Sequence, residues 1–128
     1  AIETSGGMWE AVTRKKEELG WLPVILPESR TGIKAQDQEA YFLQGAKALK
    51  EKTNATVILV GGFRSFSKIE RVLNSKGADF VSMSRPLIRQ PDLPILWQSG
   101  EGPDKAECIS CNACLPIRIA LACRAKVQ

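Results

Sequence analysis

Two stretches of this 128-residue sequence carry groups suited to holding an anion, and a third carries groups suited to holding a metal. The first, Val57-Ile-Leu-Val-Gly-Gly-Phe-Arg64, is an apolar run that ends in two glycines and an arginine. The second, Asp79-Phe-Val-Ser-Met-Ser-Arg-Pro86, ends in Ser84 and Arg85. Small residues let backbone N–H groups approach a ligand closely, and a guanidinium adds charge-assisted hydrogen bonds. Two adjacent strand ends built this way would converge on one phosphate. The plainer reading is a pair of tight turns with solvated arginines. A single glycine turn does not separate the two readings, whereas two equivalent strand ends favour the phosphate.

The third stretch holds Cys108, Cys111, Cys114 and Cys123, with two, two and eight residues between them. Thiolates at intervals of three can wrap an iron–sulfur cluster, with a fourth ligand from further along the chain. Four thiolates also suit tetrahedral zinc. A third reading leaves the cysteines reduced and without metal. Ile117, Ile119, Ala120 and Leu121 would begin a helix that presents Cys123. The sequence has no histidine, which excludes imidazole ligation and histidine-activated nucleophiles within this chain.

These residues need a scaffold. Val57 to Val60 are aliphatic without alternation, the pattern of a strand covered on both faces in a parallel sheet. Ser65 or Ser67 would cap a helix with Phe66, Ile69, Val72 and Leu73 on one face, and Gly77 would stop it. Strands are expected at 1–5, 56–61 and 79–84. A helix is expected over 37–52, capped by Asp37, with Tyr41, Phe42, Ala46 and Leu49 as its core stripe and Tyr41 a packing residue. Residues 8–19 form a short charged helix in this reading, and 20–31 an excursion over the mouth of the fold or a helix-capping loop. Lys34 reads as a surface lysine. Residues 86–94, with three prolines, would be a broken helix running into extended chain.

The bulk properties fit one globular domain. Hydrophobic residues make up 44% of the chain, and no apolar run approaches the ~18 residues of a membrane span. The net charge of +4 is spread through mixed-sign stretches such as Arg14-Lys-Lys-Glu-Glu18, with no basic stripe interleaved with aromatics, so a nucleic-acid partner is not expected. No basic segment followed by an apolar block opens the chain. Clustered cysteines without a leader imply metal or redox use in a reducing compartment, so the expected location is the cytoplasm.

The order of motifs is more specific than any one of them. Ile2-Glu-Thr-Ser-Gly-Gly7, Glu39-Ala-Tyr-Phe-Leu43, Val57-Ile-Leu-Val-Gly-Gly-Phe-Arg64, Ala78-Asp-Phe-Val-Ser-Met-Ser-Arg-Pro-Leu-Ile88 and Cys108-Ile-Ser-Cys-Asn-Ala-Cys114 follow one another. Together they resemble the C-terminal part of the Old Yellow Enzyme family of FMN-dependent oxidoreductases. The branch they most resemble is the bacterial NADH:flavin oxidoreductase, NADH oxidase and 2,4-dienoyl-CoA reductase group.

The resemblance implies an α/β fold. Residues 1–100 would be the last three βα units of a TIM (β/α)8 barrel, and 101–128 a Cys-rich tail. Because a closed barrel needs about 250 residues, the chain would be a fragment, inactive alone, or a dimer through its exposed sheet edges. The resemblance also implies FMN. Gly61, Gly62, Phe63 and Arg64 match the first phosphate segment of the family. Ser84 and Arg85 match the second, where many relatives have glycine or alanine in place of the serine. Ser5 and Gly6 match the loop beside the flavin and nicotinamide. Hydride from NAD(P)H would pass through the flavin to an electron-poor alkene or another small-molecule acceptor. The family's substrate-polarising pair and proton-donating tyrosine lie on earlier strands, so no catalytic acid is assigned here. A [4Fe-4S] cluster on Cys108, Cys111, Cys114 and Cys123 is implied by the dienoyl-CoA reductase branch, at a tighter spacing than that branch uses, with zinc as the rival. The alternatives from other classes are a non-catalytic metal-binding or interaction module clipped by the cysteines, and a flavin-free barrel enzyme that binds sugar phosphates.

Overall fold

Three short stretches form strands, β1 (Ile2–Thr4), the aliphatic β2 (Val57–Val60) and β3 (Phe80–Ser82). The computed structural model describes residues 1–5 and 33–111, together with 114, 122, 123 and 125. The expectations for residues 6–32, Gly6 among them, and for a helix at 117–121 lie outside the described residues. The strands form one parallel sheet in the order β1-β2-β3, with Ile2 opposite Val57 and Ile58 opposite Phe80. Their carboxyl ends therefore share one edge. Val57 and Leu59 are fully buried while Ile58 and Val60 are half-buried. Among the described residues one face of the central strand is thus fully packed and the other is partly open, where the sequence pattern predicts cover on both.

The helices are α1 (Leu43–Lys52), α2 (Phe66–Asn74), α3 (Arg85–Arg89) and α4 (Leu93–Ser99). Ala46, Ile69 and Val72 pack with Val57, Leu59 and Phe63 in the core, and Phe42, Leu43 and Leu49 border it. The helix expected over 37–52 is shorter. Gln36–Gln38 form a 3-10 turn, Glu39 is extended, and Ala40 takes the left-handed conformation at φ 58°. The Ala40 N–H donates to the Gly61 carbonyl at 2.6 Å. Bonds to the end of β2 override the good helix formers there, and Asp37 is not the cap.

The end of α2 also differs from its expected form. The N–H of Lys76 donates to Leu73 and that of Gly77 to Val72, which makes a Schellman turn. Its left-handed residue is Lys76 at φ 54°, not Gly77. Gly77 instead lies close under Leu43, whose Cδ1 would be 2.8 Å from a Cβ there and would have to swing aside. After the break at residues 90–92 the chain resumes as α4 rather than extending. Pro94 is tolerated because it sits in the first turn, where its missing N–H costs no helical bond. Gly100 closes α4 at φ 76°.

Beyond α4 the chain returns along the start of α2. Lys105 bridges Ser65 in antiparallel sense, Phe66 N–H donates to Asp104 O at 2.7 Å, and Ala106 N–H donates to Arg64 O at 2.7 Å. This return strap carries the chain from the sheet edge to the cysteines. No helix among the described residues is long and apolar enough to cross a membrane.

Candidate functional site

The site forms where β2 and β3 end. Both strands stop at small residues, and the chain must turn there to enter α2 and α3. Gly62 takes φ 69°, a conformation glycine adopts at no steric cost. A Cβ on Gly62 would also meet Ile33 Cδ1 at 2.4 Å and Tyr41 Cε1 at 2.8 Å. Gly61 serves packing, since a Cβ on it would lie 2.9 Å from the Tyr41 backbone nitrogen. The two glycines therefore seat residues 40–41 against the end of β2, and only Gly62 also faces the site.

A cavity of about 110 Å³ lies between the two strand ends, lined by Tyr41, residues 62–64, residues 82–86 and Ser110. Gly62, Phe63, Arg64, Ser84 and Arg85 are thus brought together. Gly61 lies behind the turn, and Ser5 is exposed at the end of β1 and does not line the cavity. Tyr41, expected as a packing residue, is half-buried and faces the cavity; its ring meets Phe42 edge-on at 4.7 Å.

Glu39 organises the first turn. It is 2% exposed. Its Oε2 accepts the backbone N–H groups of Arg64 at 2.9 Å and Ser65 at 3.0 Å, and its Oε1 accepts the Ser65 hydroxyl at 2.7 Å. Ser65 stands at the N-cap position of α2, but its hydroxyl bonds Glu39 rather than capping the helix. Asp104 supplies that cap by accepting from Ser67 N–H at 3.1 Å and, more weakly, from its hydroxyl. Sequence reasoning quoted Glu39 only within a motif and gave it no role. The available signal was an acidic residue two positions before the aromatic pair Tyr41-Phe42.

Arg64 is 7% exposed and turned inward. Its guanidinium donates to the carbonyls of Ile33 and Ala106. Two of its nitrogens therefore brace the strap and the segment before the 3-10 turn. Its Nε is buried without a hydrogen-bond partner. The N–H groups of Gly62, Phe63 and Ser84 find no acceptor among the described residues. A cavity lined by unanswered donors, with two arginines beside it, has the donor set an oxyanion requires.

The cysteines follow the strap along the chain. Cys108 and Cys114 are buried, Cys111 is exposed and Cys123 half-buried, and all four are free thiols. Arg89 Nη1 donates to Cys123 Sγ at 3.8 Å, and Arg89 Nε pairs with Glu107 at 3.1 Å. The hydrogen bond to Cys123, then that to Glu107, holds the Arg89 guanidinium above its ordinary pKa. Among the described residues no three thiols or carboxylates converge as a metal-ligand set.

No family model matches the chain. Individual proteins do. The chain is 37% identical to a 4,4'-dithiodibutanoate disulfide reductase of Rhodococcus erythropolis over 62% of its own length and 19% of the relative's. It is 30% identical to an NADH oxidase of Thermoanaerobacter brockii over 87% of this chain and 15% of that protein. It is 34% identical to the NADH-dependent flavin oxidoreductase iccE of Talaromyces variabilis over 73% of this chain and 21% of that protein. The chain thus spans about a fifth, or less, of the relatives it matches.

Proposed function

We propose, for a chain that belongs to the Old Yellow Enzyme-like NADH:flavin oxidoreductases, that the cavity between β2 and β3 receives the phosphate of FMN. The observation that carries this reading is the convergence of unanswered donors: the N–H groups of Gly62, Phe63 and Ser84 and the buried Arg64 Nε. Arg85 adds a cation at the same rim. In open and closed parallel α/β folds, phosphates bind beyond the carboxyl ends of adjacent strands, which is where these groups lie.

A bound flavin would supply the redox chemistry, hydride exchange between NADH and an acceptor. The contribution of this chain is to hold and orient it. Gly62, Phe63 and Ser84 fix the phosphate through backbone donors, and Arg85 balances its charge. Arg64 braces the loop from behind while offering Nε. We assign no proton-transferring residue to the chain. Among the described residues, three parallel strands with two open edges fit part of a (β/α)8 barrel, residues 1–100, whose other strands would cover β1 and β3; a second copy would cover the same edges. The alkene, disulfide or dioxygen acceptor is chosen by parts of the protein outside these strands. Four thiols from the segment 101–128 have the donor chemistry of an iron–sulfur or zinc site, and a metal would have to gather them.

Binding of FMN and riboflavin to the chain, followed by quenching of flavin fluorescence, tests the assignment. A phosphate site predicts that FMN binds at least tenfold tighter than riboflavin and that R85A erases the difference. Equal affinity for the two flavins overturns it.

A further inference from the structure

Ser110 lies between the first two cysteines of the cluster, in Cys108-Ile-Ser-Cys111. Nothing in the phosphate motifs points to it. Its side chain is nevertheless 2% exposed, and it lines the cavity together with Gly62, Phe63, Ser84 and Arg85. It holds the left-handed conformation at φ 53°, which costs conformational energy that glycine would avoid. Its hydroxyl forms no hydrogen bond among the described residues. A hydroxyl without a partner among the described residues, held by a strained backbone at the wall of a cavity, is the kind of outlier that marks a ligand contact.

The other features of Ser110 do not account for its position. Its neighbours Cys108 and Cys111 do not face the cavity. Core packing would favour an apolar side chain, and the turn itself would favour glycine. A serine is the choice if a donor is wanted. Arg64 Nε is the buried side-chain donor left without a partner among the described residues, and Arg64 lines this cavity too, so two polar side chains from separate parts of the fold border one space.

We propose that Ser110 is a phosphate-contacting residue, and that the cysteine loop thereby supplies part of the anion site. The proposal rests on the phosphate reading of the cavity and adds to it a donor from the tail. The hydroxyl donates to a phosphate oxygen alongside the other donors that line the cavity.

The test uses the complete chain, with FMN and riboflavin as probes and thermal unfolding as the control. S110G removes the hydroxyl and relieves the left-handed backbone. Its melting temperature holds or rises, its FMN affinity falls about tenfold, and its riboflavin affinity is unchanged. S110N tolerates the same backbone, keeps a donor, and recovers part of the loss. FMN affinity equal to wild type in S110G overturns the proposal. An equal loss for both flavins also overturns it, since that is the signature of a structural role. If the unaltered chain does not prefer FMN to riboflavin, the phosphate reading itself fails and Ser110 falls with it.

Discussion

Glu39 and Ser65, 26 residues apart, are joined twice: the Ser65 N–H donates to Oε2 at 3.0 Å and its hydroxyl to Oε1 at 2.7 Å. A carboxylate thus already sits at the N-terminus of α2, the place where a bound phosphate would compete for the same amides. An incoming anion is turned aside from the helix and toward the strand ends, where the N–H groups of Gly62, Phe63 and Ser84 are unanswered. Glu39 decides which of two neighbouring donor sets stays open.

Removing that carboxylate leaves three buried donors unmatched. E39A is expected to lower unfolding stability by about 4 kcal/mol, at about 1–3 kcal/mol per abandoned group. E39Q keeps an acceptor oxygen and is expected to lose roughly half as much. Urea unfolding measures both, and an E39A variant within about 1 kcal/mol of wild type contradicts the network.

The glycines separate by what surrounds them. A Cβ on Gly61 meets backbone atoms of Tyr41 at 2.9 Å and of Ala40 at 3.0 Å, which cannot swing away as a side chain would. G61A is expected to cost about 3 kcal/mol. Gly100 has φ 76° but open space around it, so G100A bears only the left-handed cost of about 1 kcal/mol. Reversal of that order would refute the packing assigned to residues 40–41.

Lys76 offers the opposite experiment. It holds φ 54° at the end of α2, a position where glycine is unstrained. K76G is expected to stabilise the chain by about 1 kcal/mol. A decrease in melting temperature would show that the lysine side chain contributes more than its backbone costs.

Asp79 gives a dependence on pH. Its hydrogen bond from Lys50 at 2.5 Å, followed by that from the Val57 N–H at 2.8 Å, holds its carboxyl below the usual range. The folded state therefore releases this proton more readily than the unfolded state. The resulting stability is present above the unfolded pKa and is lost as pH falls through the folded one. D79N should melt below wild type at neutral pH, and the gap should close on acidification. A gap that stays constant across that range would remove Asp79 from the account.

Local patterns carried much of the fold. A continuous aliphatic run located β2, a short apolar stretch located β3, and the apolar stripe of Phe66, Ile69, Val72 and Leu73 located α2. Small residues and arginines located the cavity wall formed by Gly62, Phe63, Arg64, Ser84 and Arg85. What stayed hidden depends on distant contacts. The turn at Glu39 and Ala40 is fixed by acceptors and donors more than 20 residues away, and helix propensity does not register them. Arg64 reads as a phosphate-contacting cation in sequence, yet carbonyls at Ile33 and Ala106 take two of its nitrogens and draw it inward. Ser110 was masked by the cysteines on either side of it.

The return strap has a kinetic meaning. Asp104 and Ala106 exchange hydrogen bonds with Phe66 and Arg64, while Arg64 also holds Ala106 through its side chain. The tail is thereby laced to the first anion-binding turn, and neither can open without releasing the other. In hydrogen exchange the Phe66 and Ala106 amides should behave as one cooperative unit, with matched protection that rises together on adding FMN.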